Sequence, residues 1–135
     1  MAEDNTLFTV EIVTPDRTFY TGKASFLEMS TVEGDMGIYK NHIPLTTVLS
    51  PGIVTITEPG GIKKAAIHSG FVEILGDKVT LLAEIAEWPE EIDGERAEAA
   101  KGRAQERLAN RSADLDIKRA ELALKKALVR ISIKG

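Results

Sequence analysis

The sequence contains no cysteine, only two histidines (His42 and His68), one tryptophan and five prolines in 135 residues. The missing thiols exclude a disulfide scaffold, a thiolate nucleophile and a cysteine-type zinc site. Two histidines are too few for a histidine-rich metal centre, and no essential metal is expected. No apolar run approaches the roughly 18–20 residues needed to span a bilayer, so direct membrane insertion is not expected. The opening Met1-Ala2-Glu3-Asp4-Asn5 is acidic and shows no apolar core of a signal peptide, which leads us to expect an intracellular protein. Neither a Ser/His/Asp set nor a glycine-rich phosphate loop opening a helix is present, and an enzyme of its own is not expected.

What the chain does have is divided unevenly. Residues 1–88 hold 6 Lys/Arg and 12 Asp/Glu, whereas residues 89–135 hold 11 Lys/Arg and 9 Asp/Glu. Eight of the 11 glycines precede residue 89. The change in composition at Trp88-Pro89 marks a boundary between domains 1–88 and 89–135. An acidic front half argues against nucleic acid as a partner.

The front half reads as all-β. Phe8-Thr9-Val10-Glu11-Ile12-Val13 alternates apolar and polar residues and stops at the turn signal Thr14-Pro15-Asp16. Phe26–Val32 is a further β-prone run. Ile53–Thr57 and Lys64–Ile67 flank Pro59-Gly60-Gly61, and Phe71–Leu75 and Val79–Leu82 flank Gly76-Asp77, so each pair reads as a hairpin. Short strands at this spacing predict a small sandwich or barrel, with strands to about Ala83 and no helix in residues 50–80. Gly34 to Leu45 reads as a loop. Its plainer interpretation is a connection whose glycines permit unusual backbone angles and whose Ile43 and Pro44 plug the core; its functional interpretation is a docking surface built around Tyr39 and His42.

From Glu90 onward the residues are strong helix formers. Helices are predicted near 93–109 and 114–132, the first capped by Asp93 and the second by Ser112 or Asp114. A short connection implies antiparallel neighbours. The stripe Ala97, Ala100, Ala104, Leu108 is mostly alanine and buries little area, so it is a weak anchor. The second helix carries two seams on nearly opposite sides, Ile117, Ala120, Leu124, Ala127, Ile131 and Leu115, Leu122, Val129. Such a helix is either wedged between two layers or able to exchange partners. Arg103/Arg107 and Lys126/Arg130 are like-charge i, i+4 pairs. Lys126 and Arg130 have no acid at i±3 or i±4, and such uncompensated stripes suggest an anionic partner.

Taken in order, these segments resemble the epsilon subunit of bacterial F-type ATP synthase over nearly the whole chain. The resemblance rests on Val13-Thr14-Pro15-Asp16, on Gly37-Ile38 and His42-Ile43-Pro44-Leu45, on Gly70-Phe71-Val72-Glu73 and Val79–Glu84, and on Asp116-Ile117-Lys118-Arg119-Ala120-Glu121-Leu122-Ala123-Leu124. His68-Ser69-Gly70 departs from the Ser-Gly-Gly common in the family. The resemblance implies an α+β chain, a ten-stranded β-sandwich followed by a two-helix antiparallel hairpin. It implies a non-catalytic central-stalk subunit, peripheral at the cytoplasmic face of the bacterial cell membrane, whose sandwich binds the gamma subunit and the c ring through a surface including Gly37, Tyr39 and His42. On the same footing the hairpin, when extended, inhibits ATP hydrolysis by meeting the alpha/beta catalytic head, through Lys118, Arg119, Lys125, Lys126 and Arg130.

Ile92-Asp93-Gly94-Glu95-Arg96-Ala97 is similar to the Ile-Asp-x-x-Arg-Ala motif of Bacillus-type members. By position, the implied ATP contacts are Glu87, Ile92, Asp93, Arg96, Arg103, Lys126 and Arg130. Carboxylates repel phosphate, so Glu87 and Asp93 suit adenine or ribose and the basic groups suit phosphate. Lys126 stands where well-known ATP binders carry arginine, keeping the charge but losing the bidentate fork. Without the resemblance, Asp93 is a helix cap and Arg96 its i+3 ion-pair partner. The alternative to a stalk subunit is a freestanding ATP-sensing module.

Overall fold

A computed structural model of the chain describes residues 6–110 and 116–135. Its strands are β1 (Phe8–Val13), β2 (Thr18–Ala24), β3 (Phe26–Thr31), β4 (Gly34–Ile38), β5 (Leu45–Leu49), β6 (Gly52–Glu58), β7 (Gly61–Leu75) and β8 (Lys78–Glu87). A 3-10 turn, Pro89–Glu91, leads into α1 (Gly94–Ala109) and α2 (Ile117–Lys134). The alternation in β1 turns Phe8, Val10 and Ile12 inward, where they meet Leu27, Ile56 and Leu81 in one core. The turn after β1 is closed by the Thr14 N–H donating to the Arg17 carbonyl at 2.9 Å.

The described residues form eight strands, not the expected ten. The runs Lys64–Ile67 and Phe71–Leu75, expected as separate strands, are parts of the single 15-residue β7. The apparent break is a bend: Ser69 and Gly70 have φ of 62° and 131°, and a Cβ on Gly70 would lie 2.0 Å from the Leu82 carbonyl oxygen. Before the bend β7 pairs with β6, and after it with β5. One strand thus serves both halves of the sheet, while β8 runs beside it on both sides of the bend. Strand β8 continues to Glu87, past the expected end at Ala83, and residues 50–80 contain no helix. Strand β1 pairs antiparallel with β2 and parallel with β8, a pairing that requires a long intervening connection.

Gly34–Ile38, expected as loop, is strand β4 paired with β3. Ile43 does not plug the core; it is 72% exposed, and Pro44 is exposed beside it. The positive-φ residues of this segment are Gly34, at 122°, and Asn41, at 66°.

Both helices are capped by aspartate. Asp93 Oδ1 accepts the Arg96 N–H at 3.1 Å, and Asp116 Oδ1 accepts the Arg119 N–H at 3.0 Å. The second cap lies later than expected; Ser112, Asp114 and Leu115 lie outside the described residues. Ala97 and Ala104 of α1 face Ala120 and Ala127 of α2, all four buried, so the helix pair closes on small side chains. Helix α2 also reaches β6, β7 and the 3-10 turn. Three polar anchors are spaced along it: Lys125 Nζ to Ser50 Oγ at 2.5 Å, Arg130 Nε to Glu87 Oε1 at 2.8 Å, and Lys134 Nζ to the Pro89 carbonyl at 3.1 Å.

Candidate functional site

The corner between sandwich and hairpin is held by a few side chains. Trp88, directly after β8, stacks on Phe19 with ring centroids 4.3 Å apart and meets Tyr20 edge-on at 6.2 Å. One turn further, Glu91 accepts the Trp88 N–H at 2.9 Å and pairs with Arg17 at 2.9 Å. The Arg17 hydrogen bond, with the Trp88 N–H second, holds the Glu91 carboxyl below the usual range. These contacts aim the start of α1 at the end of β8.

Between them lies a cleft of about 300 Å³, at the low end of small-molecule sites. It is lined by Glu87 of β8, Glu91 and Ile92 of the corner, Asp93, Arg96 and Arg103 of the cap and α1, and Arg130 of α2. Six of the seven residues expected to meet ATP are therefore brought together. Lys126 is not among the lining residues; it stands one turn before Arg130, half-buried. The charges of the lining are not equally engaged. Glu87 is held by Arg130, Glu91 by Arg17, and Asp93 Oδ1 by the α1 backbone. Among the described residues, neither Arg96 nor Arg103 makes an ion pair, and the expected Asp93–Arg96 side-chain pair is replaced by the backbone cap. Two exposed guanidiniums at the rim of a cleft are suited to an anionic group. Arg130, by contrast, is not uncompensated, because its partner comes from β8 instead of its own helix.

Beneath Glu87 lies His68, which the sequence shows only as part of a departure from the Ser-Gly-Gly common in the family. His68 is in mid-strand and fully buried, and its Nε2 lies 3.0 Å from the same Glu87 Oε1 that accepts from Arg130. Burial, followed by the charge of Arg130, pushes its pKa down, against the pull of Glu87. Its signal in the sequence is the replacement of a small residue by a titratable one between Ile67 and Gly70.

The docking residues lie elsewhere. Tyr39 is 65% exposed and stacks on Phe26 at 4.4 Å. His42 is half-buried, its Nδ1 2.8 Å from the Ile43 carbonyl, which makes it a loop-bracing donor. Gly37 is not needed for a left-handed backbone; a Cβ there would come within 2.8 Å of the Phe26 ring, so the glycine makes room for that ring and its stack on Tyr39.

A second outward surface was not anticipated. Val48, Phe71 and Leu82 are exposed and stand directly opposite one another on β5, β7 and β8, and Leu82 is opposite Val13 on β1. Directly paired residues point to the same face of a sheet, so they form an apolar row across four strands. The signal was the adjacent apolar pairs Phe71-Val72 and Leu81-Leu82: in an alternating strand, one member of each must face outward.

Of the basic residues assigned to inhibition, Lys118 and Arg119 are exposed on the first turn of α2, while Lys125 and Arg130 are occupied by the sandwich. The described residues contain no group of three or more His, Cys, Asp or Glu placed to hold a metal, and no helix long and apolar enough to cross a membrane.

Residues 7–89 match the family described as ATP synthase, Delta/Epsilon chain, beta-sandwich domain, and residues 90–135 match ATP synthase, Delta/Epsilon chain, long alpha-helix domain. The chain is similar to the ATP synthase epsilon chain of Caldanaerobacter subterraneus subsp. tengcongensis, 46% identical over 127 residues, covering 93% of this chain and 92% of the relative. It is similar to that of Bacillus velezensis, 45% identical over 126 residues, covering 93% and 96%. A chain in the cryo-EM structure of the Euglena gracilis mitochondrial ATP synthase (OSCP, F1 and c-ring) has the same fold, with a TM-score of 0.85 at 21% identity over 99% of this chain and 85% of that chain. The central stalk and c-ring structure from Tetrahymena thermophila gives 0.62 at 16% identity, covering 94% and 96%. With sandwich and helices both matched, and relatives aligned over nearly their whole length, the chain belongs to the ATP synthase delta/epsilon chain family.

Proposed function

We propose that the chain is a non-catalytic central-stalk subunit of a proton-translocating F-type ATP synthase, peripheral at the cytoplasmic face of a bacterial membrane, and that residues 89–135 form an ATP-sensitive brake. Its sandwich docks on the gamma subunit and c ring. The hairpin inhibits ATP hydrolysis when extended and is held folded by ATP. The observation that carries this reading is the composition of the cleft: its walls come from β8, the corner, α1 and α2 together. A ligand that needs all four can bind only the folded hairpin, and it stabilises that state by its preference for it. Arg96 and Arg103 of α1 supply the phosphate contacts, and with Arg130 of α2 lining the same cleft, like charges on adjacent helices make the empty hairpin marginal.

Other features fit. The alanine seam between helices gives little area to lose on release. Extended as one continuous helix, residues 93–134 would reach about 60 Å, enough to run along a shaft. Release also frees Lys125 and Arg130 from their contacts with the sandwich, adding two unpaired cations to Lys118 and Arg119 for an acidic surface of the catalytic head. The row Val48, Phe71, Leu82, too apolar to be left in water across four strands, suits the gamma subunit.

The test is ATP hydrolysis by enzyme rebuilt with the full chain or with a chain ending at Ala109. The shortened chain should assemble into the rotor and give faster hydrolysis. Equal rates with equal assembly would exclude an inhibitory role for the helices.

A further inference from the structure

His68 is the most enclosed polar side chain among the described residues, with 0% exposure. Its Nδ1 is buried without a hydrogen-bond partner. Its Nε2 and the Nε of Arg130 converge on one oxygen, Glu87 Oε1, at 3.0 and 2.8 Å. For both to donate, the imidazole carries its hydrogen on Nε2, and the bare Nδ1 makes it neutral. A second proton, placed on Nδ1, would stand in the core with nothing to accept it.

The charged groups facing the ring are Glu87 from β8 and Arg130 and Lys126 from α2. Two of these three ride on α2, the element proposed above to leave the sandwich. When α2 leaves, both cations leave with it, and water reaches a strand that α2 had covered. The ring therefore takes up a proton more readily in the released state than in the docked one.

We propose that His68 is a positioning residue for the hairpin: as the neutral Nε2–H imidazole it aims Glu87 Oε1 at Arg130, and on protonation it lets α2 go. By linkage, acid favours whichever state binds the proton better, so acidification drives release. The sign follows from burial and the two cations lowering the docked ring's pKa. Docking is fully supported above the ordinary histidine value, near 6.5, and the support is lost as pH falls below it toward the depressed value. The device acts on docking itself and needs no nucleotide. It rests on the proposed function for the release of α2 and for its further consequence, that a ligand touching Glu87 and Arg130 binds less well in acid.

The absence of cysteine makes the experiment direct. Spin labels on Asp77→Cys and Glu121→Cys, both exposed, report the distance from the sandwich to α2 in the otherwise unaltered full chain without nucleotide. From about pH 7.5 to about pH 5.5 the ratio of docked to released hairpin should fall, by up to about tenfold. In His68→Gln, whose amide can donate to Glu87 but does not titrate, the ratio should stay flat, and in His42→Gln it should fall as in the parent. A flat parent, or an unaltered fall in His68→Gln, overturns the proposal. Should His68→Gln fail to fold, imidazole nitrogen shifts in the parent decide: a neutral Nε2–H ring at about pH 7.5 that titrates together with release is expected, and an Nδ1–H or charged ring overturns it. Absence of ATP binding would defeat the nucleotide reading while leaving these outcomes as they stand.

Discussion

Arg130, near the end of the last helix, donates from Nε to Oε1 of Glu87, the final residue of the last strand, at 2.8 Å. This bond joins the two parts of the chain at the point where the cleft is built. Both side chains are about three-quarters buried, at 26% and 23% exposure, so solvent screens the bond less than at an open surface. Arg130→Ala should shift the hairpin toward release by about 1–2 kcal/mol. Hydrogen exchange of α2 should accelerate accordingly while the exchange of β1 to β8 stays unchanged. Uniform acceleration throughout would mean that sandwich and hairpin open as one unit.

Gly70 should be the least replaceable glycine. Its φ of 131° disfavours any side chain, and its Cβ would meet the Leu82 carbonyl oxygen at 2.0 Å. Gly70→Ala should cost more than about 3 kcal/mol in urea unfolding. Gly102→Ala, in open space on α1, should be neutral or slightly stabilising.

Asp93→Ala combined with Arg96→Ala should weaken ATP binding to the isolated chain more than about tenfold, as a lost charged contact implies. Asp93→Asn separates cap from contact, because asparagine caps a helix about as well as aspartate. If Asp93→Asn binds ATP as the parent does, the aspartate serves the helix and Arg96 serves the ligand. Unchanged binding in the double variant would remove both from the site.

Two outward surfaces are candidates for the proposed docking on the rotor. Phe71→Glu places a charge in the middle of the apolar row without touching the core, since Phe71 is 52% exposed. It should weaken assembly with the gamma subunit at unchanged stability. Tyr39→Ala with His42→Ala should weaken contact with the gamma subunit or the c ring and disturb the loop locally. Pull-down of each variant against gamma alone and against the c ring alone will assign the two surfaces.

Much of the scaffold was legible where one local rule acted alone. Gly76-Asp77 and Pro59-Gly60 join adjacent strands as read, and Gly76 takes the positive φ of 59° that its turn requires. Asp93 caps its helix as read, its side chain accepting the Arg96 N–H three residues on. Failures came where a local signal had a nonlocal cause. Ser69-Gly70 looks like a strand break but is a bend, because the same strand must reach β6 on one side and β5 on the other. Ile43 looked like a core residue because hydropathy does not say which apolar side chains are left outward. At the site, the motif residues were visible, but the link from His68 to Arg130 spans three elements and has no spacing to read.

The parallel pairing of β1 with β8 sets a timetable for the growing polypeptide. Synthesis delivers β1 and β2 first, and they can zip together at once, but the other edge of β1 stays open until Leu82 has emerged. Such late closure is slow and leaves an adhesive edge exposed during translation. The rest of β8, the corner and the two helices come after Leu82. The helices arrive on strands already made, so the hairpin is an addition to the sandwich and not the start of its folding.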